Sequence, residues 1–363
     1  MRSRLAAWLL VLAAVLPAVL ARAPCPATAQ DAAQGEQGEL AKDVRVASTF
    51  TITEENDLFA GTDYNYTNGT KLNWISGDIS LYAEDHWLPR VLLHSLKVIA
   101  FLDQPGMQHN LALSVGQTIY TPRDIHTPLY QPNDRPYAGW SFVSPALHAK
   151  TPSRLDTFEL GLGIVGPASQ AENFQNTAHD ILGLRRAQGW SHQLQNEPTL
   201  QFTWQRTLRT LRQDFGHDMA FDFLPHFGGT AGNALVYANA GFEIRFGYKL
   251  PEDFGTSVIR PGSGVSAPAA SDDPRLQKKA AYGIHVFAGA DGRAIAHNIF
   301  LDGNTWQESH SVPKKPFVAD LSAGAGVVLG PVKITYTHVL RTQEFQQQKS
   351  PQMFGSVGLS VTF

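Results

Sequence analysis

From Val46 to Phe363 the chain is written in segments of about ten residues in which apolar side chains recur at every second position. The clearest are Leu111-Leu113-Val115, Phe158-Leu160-Leu162-Ile164, Leu200-Phe202-Trp204, Phe221-Phe223, Val236-Ala238-Ala240-Phe242-Ile244-Phe246, Ile334-Tyr336-His338-Leu340 and Val357-Leu359-Val361-Phe363. The positions between them carry mainly Gln, Thr, Ser, Asn, Glu and Arg. A period of two describes strands with two unlike faces. Such segments fall near 46–55, 68–81, 110–120, 137–149, 155–166, 198–210, 218–229, 234–248, 280–291, 317–329, 332–342 and 353–363. Their even number suits an outer-membrane barrel. A soluble β-sandwich or a lipocalin-like barrel also alternates. Two features favour the membrane: an export signal at the N-terminus, and an aromatic last residue, Phe363, in phase with the apolar face of the last strand. The expected fold is all-β, a transmembrane antiparallel up-and-down β-barrel of about 12 strands with a short helix in an extracellular loop.

Arg2 and Arg4, the apolar run Leu5–Leu20 and Ala27-Thr28-Ala29 read as a secretory signal peptide over 1–29. A disordered leader over 30–45 and a barrel over 46–363 complete the expected organisation. No later stretch has the roughly 20 uninterrupted apolar residues of a helical span. Cys25 lies in the segment to be removed and is not preceded by a lipobox, so the mature chain is expected to have no thiol for disulfides or cysteine-bound zinc. A net charge of −3 argues against a nucleic-acid partner held by bulk positive charge. No protein partner is indicated.

With both termini in the periplasm, the loops 56–67, 121–136, 167–197 and 292–316 all face outward, whereas Lys150–Arg154 and Gly330–Pro331 form short periplasmic turns. Two periplasmic connections are long. Residues 82–109 read as an amphipathic helix under or beside the barrel, and 249–279 is rich in Pro, Gly, Ser and Ala.

The outward loops concentrate the candidate chemistry. Glu54-Glu55-Asn56-Asp57 leads into the first, and Tyr64-Asn65-Tyr66-Thr67-Asn68-Gly69 leads out, so a hairpin brings Asn56, Asp57 and Thr67 together. Such oxygen donors suit a hard cation, calcium before zinc, or equally a solvated turn. In the third loop, Phe174, Ala178, Ile181 and Leu182 recur at helical spacing, as in a short helix lying against the outer leaflet. His179 on that helix is either a general base or a surface histidine. Arg135 in Asn133-Asp134-Arg135-Pro136 could meet a phosphate or pair with a rim carboxylate. Arg293, Asn298, Asp302 and Asn304 are ambiguous in the same way, and Trp140, Trp190, Trp204 and Trp306 are expected in an interface belt. There is no G-x-S-x-G nucleophile elbow.

Taken in order, Glu55-Asn56-Asp57, Tyr66-Thr67-Asn68-Gly69, Gln117-Thr118-Ile119-Tyr120-Thr121-Pro122, Asp134-Arg135-Pro136-Tyr137, Gly163-Ile164-Val165-Gly166-Pro167 and Gln175-Asn176-Thr177-Ala178-His179 resemble the outer-membrane lipid A 3′-O-deacylases. The resemblance runs from about residue 46 to the end. It implies a calcium-dependent ester hydrolase of the bacterial outer membrane, its site facing the cell exterior, that removes the 3′-linked acyloxyacyl chain from the lipid A of lipopolysaccharide. By position, Asn56, Thr67 and His179 would be catalytic and Asp57 would hold Ca2+. Where the family pattern has a glutamate six positions after the histidine, this chain has Arg185, followed by Arg186. Asp180 and Glu197 are candidate replacements for that carboxylate, and Arg135, Arg185 and Arg186 are candidate contacts to lipid A phosphates.

Overall fold

A computed structural model of the chain describes residues 44–61, 65–82, 106–256, 258–277 and 281–363. The expected signal peptide, the leader up to 43 and residues 83–105 of the helix expected over 82–109 lie outside these residues, and Gln108 and His109 at the end of that range belong to a strand. The strands are β1 (Thr49–Asn56), β2 (Asn65–Asp78), β3 (Gln108–Thr121), β4 (Ala138–Thr151), β5 (Arg154–Val165), β6 (Glu197–Leu208), β7 (Leu211–Gly216), β8 (Met219–Gly232), β9 (Leu235–Tyr248), β10 (Tyr282–Asn298), β11 (Phe317–Leu329), β12 (Val332–Arg341) and β13 (Gln352–Thr362). Each pairs antiparallel with its neighbour. β7 prolongs β6 after a break at Arg209, and both lie beside β8. Pairing of β1 with β13, from Thr49↔Thr362 to Asn56↔Gly355, helps close the sheet, so the 13 strands make a barrel of 12 staves.

The alternation is turned inside out relative to a soluble protein. Leu113, Val115, Leu160, Leu162, Phe202, Ile284 and Val286 are each more than a third exposed on the outer face, while Thr51, Lys71, Asn73, Ser114 and Thr335 are buried towards the lumen. A lipocalin-like barrel would show the reverse, and only lipid makes the observed pattern favourable. Among the described residues no helix is long and apolar enough to cross a membrane, so the strands cross it.

A polar lumen must be filled with partners for its own side chains. Here the connection from β9 to β10 does this. It leaves the end of the barrel far from the 56–67 loop, climbs inside the barrel, turns at Gly262 (φ +76°) and descends, with Ala269 N–H donating to Glu252 O at 2.7 Å and Phe254 N–H to Val265 O at 3.3 Å. Asp253 anchors its base, fully buried among Arg245 (2.6 Å), Arg275 (3.1 Å) and Lys333, while Asp222 and Asp273 balance the charge. Lys71 and Lys150 of the wall donate to Ser263 Oγ (3.2 Å) and Pro268 O (2.7 Å). The small and apolar residues of this segment pack where bulkier ones would not fit, Ala267 against Ile75 and Ala112, and Phe254 and Val265 against Leu155. At the outer end a short helix (Ile299–Asp302) lids the lumen, its Phe300 ring 4.2 Å from that of Tyr120.

β10 runs to Asn298, past its expected end, because its ladder with β11 continues to Ala294 and its ladder with β9 carries on across a bulge at Ile295/His297. Arg293 is therefore a strand residue paired with Asp320 at 2.6 Å, and Asn298 caps the lid helix. Trp140 is no belt residue: it is buried in the lumen beside Phe300, its indole N–H donating to Thr199 Oγ1 at 2.9 Å. Trp190 is likewise buried, within the loop between β5 and β6.

Two substitutions test this account. Val115→Arg, on the lipid face, is expected to destabilise the barrel by about 2–4 kcal/mol in denaturant titrations in lipid vesicles. Asp253→Ala leaves the buried Lys333 without its carboxylate and Arg245 and Arg275 with one each, and is expected to cost about 3–5 kcal/mol in the same assay.

Candidate active site

The upper outer wall breaks the apolar rule. On β1 the outward positions after Phe50 and Ile52 are Glu54 and Asn56, and both are buried. Register sets Asn56 opposite Asn68 and Glu54 opposite Thr70. Glu54 accepts from Asn68 Nδ2 at 2.5 Å and from Thr70 Oγ1 at 2.6 Å. A bulge in β2 at Thr67 turns its hydroxyl to Thr121 of β3, Oγ1 to Oγ1 2.7 Å. Asn56 ends β1 as the N-cap of a single helical turn, its Oδ1 accepting from Leu58 N–H at 2.8 Å. Asp57, the first residue of that turn, is fully buried. The turn closes at Gly61 (φ +79°).

Against this wall lies α1 (Ala171–Leu182). Gly139 of β4 permits the approach, since a Cβ there would stand 2.1 Å from the Ala171 Cβ and 2.3 Å from Ser169 Oγ. Gln117 of β3 donates to Ser169 O at 2.7 Å, and Ile119 packs with Ala171 and Trp190. The residues α1 buries are Ala171, Gln175 and His179, one per turn, whereas Phe174 (42% exposed) and Ile181 (70%) point away. A surface helix normally buries its apolar stripe. This one buries its polar stripe and shows its apolar residues to the outside.

The end of α1 sets the histidine. Gly183 (φ +66°) closes a Schellman motif, with Leu184 N–H donating to His179 O at 2.7 Å and Gly183 N–H to Asp180 O at 3.2 Å. The chain then turns so that His179 Nδ1 meets Arg185 O at 2.7 Å. A carbonyl only accepts, so Nδ1 carries the proton and the neutral ring keeps its lone pair on Nε2. One turn back, Gln175 Oε1 accepts from Trp190 Nε1 at 2.9 Å, which fixes the amide. Its Nε2 is buried with no hydrogen-bond partner among the described residues, as is Asn68 Oδ1.

The expected residues Asn56, Asp57 and Thr67 thus come together at the tip of one hairpin, and His179 sits on the helix face turned to the wall. Asp180 and Glu197 do not take the place of the family glutamate. Asp180 is exposed and paired with Arg186 Nε at 2.8 Å, a guanidinium that holds its carboxyl below the usual range. Glu197 is buried, binding Asn233, Asn304 and Thr305 and so tying three loops together. Arg135 does not reach the cleft either. It is fully buried, 3.0 Å from Glu344 and stacked 4.8 Å from the Tyr120 ring, so its part is structural pairing. Asp302 is bound by Lys314 at 2.9 Å. Sequence reasoning passed over Glu54, Asn68, Thr121 and Gln175. The first two share a strand face with Asn56, and Gln175 lies four residues before His179, so parity and helical spacing were the available signals.

The model of the family described as outer membrane protein LpxR matches residues 10–363. The chain belongs to the LpxR family. Its place is accordingly the bacterial outer membrane. Among solved structures, LpxR from Salmonella typhimurium is similar at a TM-score of 0.68 and 18% identity, with 87% of this chain and 100% of that one covered. The β domain of the Bordetella autotransporter BrkA follows at a TM-score of 0.41 and 10% identity, covering 87% and 97%. No curated protein sequence matches the chain.

Gly139→Leu should lift α1 off the wall, which hydrogen exchange would report as faster exchange over 171–182 with the barrel strands unchanged.

Proposed function

We propose that the cleft between α1 and the outer wall hydrolyses an ester of lipid A, removing the 3′-linked acyloxyacyl chain of lipopolysaccharide in the outer leaflet. The observation that carries this reading is the inverted helix. A helix packed on the outer wall buries an amide and a histidine, Gln175 and His179, and its far side, Phe174 and Ile181, suits acyl chains. A pore has no use for such a cleft, and the lumen is filled by the β9–β10 connection and lidded by Phe300.

The chemistry follows from His179. With Nδ1–H held by Arg185 O, Nε2 takes a proton from a water molecule as that water attacks the ester carbonyl, and the hydrogen bond to the carbonyl stabilises the imidazolium that forms. Returning the proton to the departing sugar hydroxyl releases the fatty acid, with no acyl-enzyme. Charge developing on the carbonyl oxygen needs donors, which the Gln175 and Asn56 amides can supply. Asp57, with the unpartnered Asn68 Oδ1 and the Thr67 hydroxyl, offers the hard oxygen donors that suit calcium. No group of three or more His, Asp or Glu forms a ready cage among the described residues, so amide, hydroxyl, water and substrate oxygens would complete the shell. Bound there, calcium would add positive charge beside the ester carbonyl. The backbone of Arg185 orients His179 whatever its side chain, which leaves that exposed guanidinium, with Arg186, to meet lipid A phosphates outside the cleft.

The test is mass spectrometry of lipid A incubated with the purified protein. Loss of the 3′ acyloxyacyl mass in calcium, and not in chelator, is expected. His179→Ala should lower the rate by about 10²–10⁴-fold. Unchanged lipid A from folded protein in calcium would refute the reading, and equal loss in chelator would refute the calcium.

A further inference from the structure

Glu55 has the opposite parity to Glu54 and Asn56, faces the lumen and is 1% exposed. Two donors hold its carboxylate, Tyr66 Oη of β2 at 2.7 Å and the backbone N–H of Ile259, near the apex of the luminal segment, also at 2.7 Å. Its own carbonyl accepts from Asn68 Nδ2 at 3.3 Å. Directly across the ladder is Gly69, where a Cβ would stand 2.0 Å from Tyr66 Oη and 3.1 Å from Ile259 Cδ1. The junction therefore needs a residue without a side chain at that point.

The apex is itself fixed on several sides. Val258 packs with Tyr66 and Phe354, Ile259 with the cluster around Trp140 and Phe300, and Arg260 pairs with Asp291 at 3.2 Å. Its base is anchored through Asp253 to Arg245, Arg275 and Lys333. One hairpin thus presents Asn56, Asp57 and Thr67 on its outer side while its inner side is clamped by a segment that rises from the opposite end of the barrel. Residues at a strand tip have few neighbours to hold them, and a displacement of about 1 Å at a reacting group can cost up to 10²-fold in rate.

We propose that the apex of the luminal segment, Val258–Arg260, is a positioning element for the hydrolytic site, acting through the Ile259 amide on Glu55 to set the β1–β2 hairpin. What the hairpin does chemically rests on the function proposed above; the clamp does not.

Ile259→Pro removes the donor and keeps an apolar side chain, Ile259→Val keeps both, and Glu55→Gln weakens the acceptor without changing its shape. Each full-length variant is compared with wild type in detergent micelles by hydrogen exchange and by lipid A hydrolysis. Ile259→Pro and Glu55→Gln should speed exchange over 54–59 and 66–70 by about tenfold or more and leave 284–290 and 321–328 unchanged. They should lower kcat about tenfold at constant KM, with Ile259→Val like wild type. If Ile259→Pro does not fold, Glu55→Gln carries the test. Unchanged hairpin exchange in a folded variant that lacks the clamp overturns the proposal. Wild-type protein without lipid A hydrolysis would instead overturn the functional reading, and the exchange data would still decide the clamp.

Discussion

Everything in this structure depends on strands that turn apolar side chains to lipid and polar ones to the lumen. Lipid rewards the outer face directly. The inner face, with Lys71, Asn73, Lys150, Asp222, Arg245 and Lys333, is stable only if each buried group finds a partner. The β9–β10 connection supplies partners for Lys71, Lys150, Arg245 and Lys333, wall neighbours serve Asn73 and Asp222, and the three-against-three cluster around Asp253 sets where the segment enters. Among the described residues the same segment fills much of the lumen, and Phe300 lies over it.

The place proposed is the upper outer wall, where the apolar rule is suspended around Asn56. Glu54, Asn56, Asn68, Thr67 and Thr121 occupy outward positions that lower in the barrel belong to Leu, Phe and Val. α1 packs on the neighbouring β3 and β4 with Gln175 and His179 on its buried side, and Gly139 lets it come close. The arrangement separates two demands. In the function proposed, acyl chains would meet the exposed apolar residues of α1, and the ester the buried polar ones.

The staves were legible because alternation is local: each strand carries its own period, and the register from hairpin to hairpin kept nearly all of their limits. The meeting of Asn56, Asp57 and Thr67 was legible for the same reason, since a hairpin brings back what a loop separates. The apolar repeat of Phe174 and Ile181 also announced a helix, and both residues stand exposed on it. Partners far apart in sequence were not legible. Trp140 carries no mark distinguishing a lumen residue from a belt residue until Phe300, 160 positions later, folds over it. Residues 249–279 read only as small and proline-rich, because Lys71, Lys150 and Lys333, which hold the segment, look like any other luminal polar residue. Arg135 had a phosphate or a carboxylate open to it, and Glu344 decided between them.

Reaction between α1 and the outer wall, not in the lumen, is the claim most open to direct test. A single cysteine at Thr70, beside Glu54 on the outer face, can be alkylated with a bulky maleimide and the protein assayed on lipid A. The account predicts that hydrolysis stops on modification and that lipid A present beforehand slows the modification. Full hydrolysis by completely modified protein would contradict it.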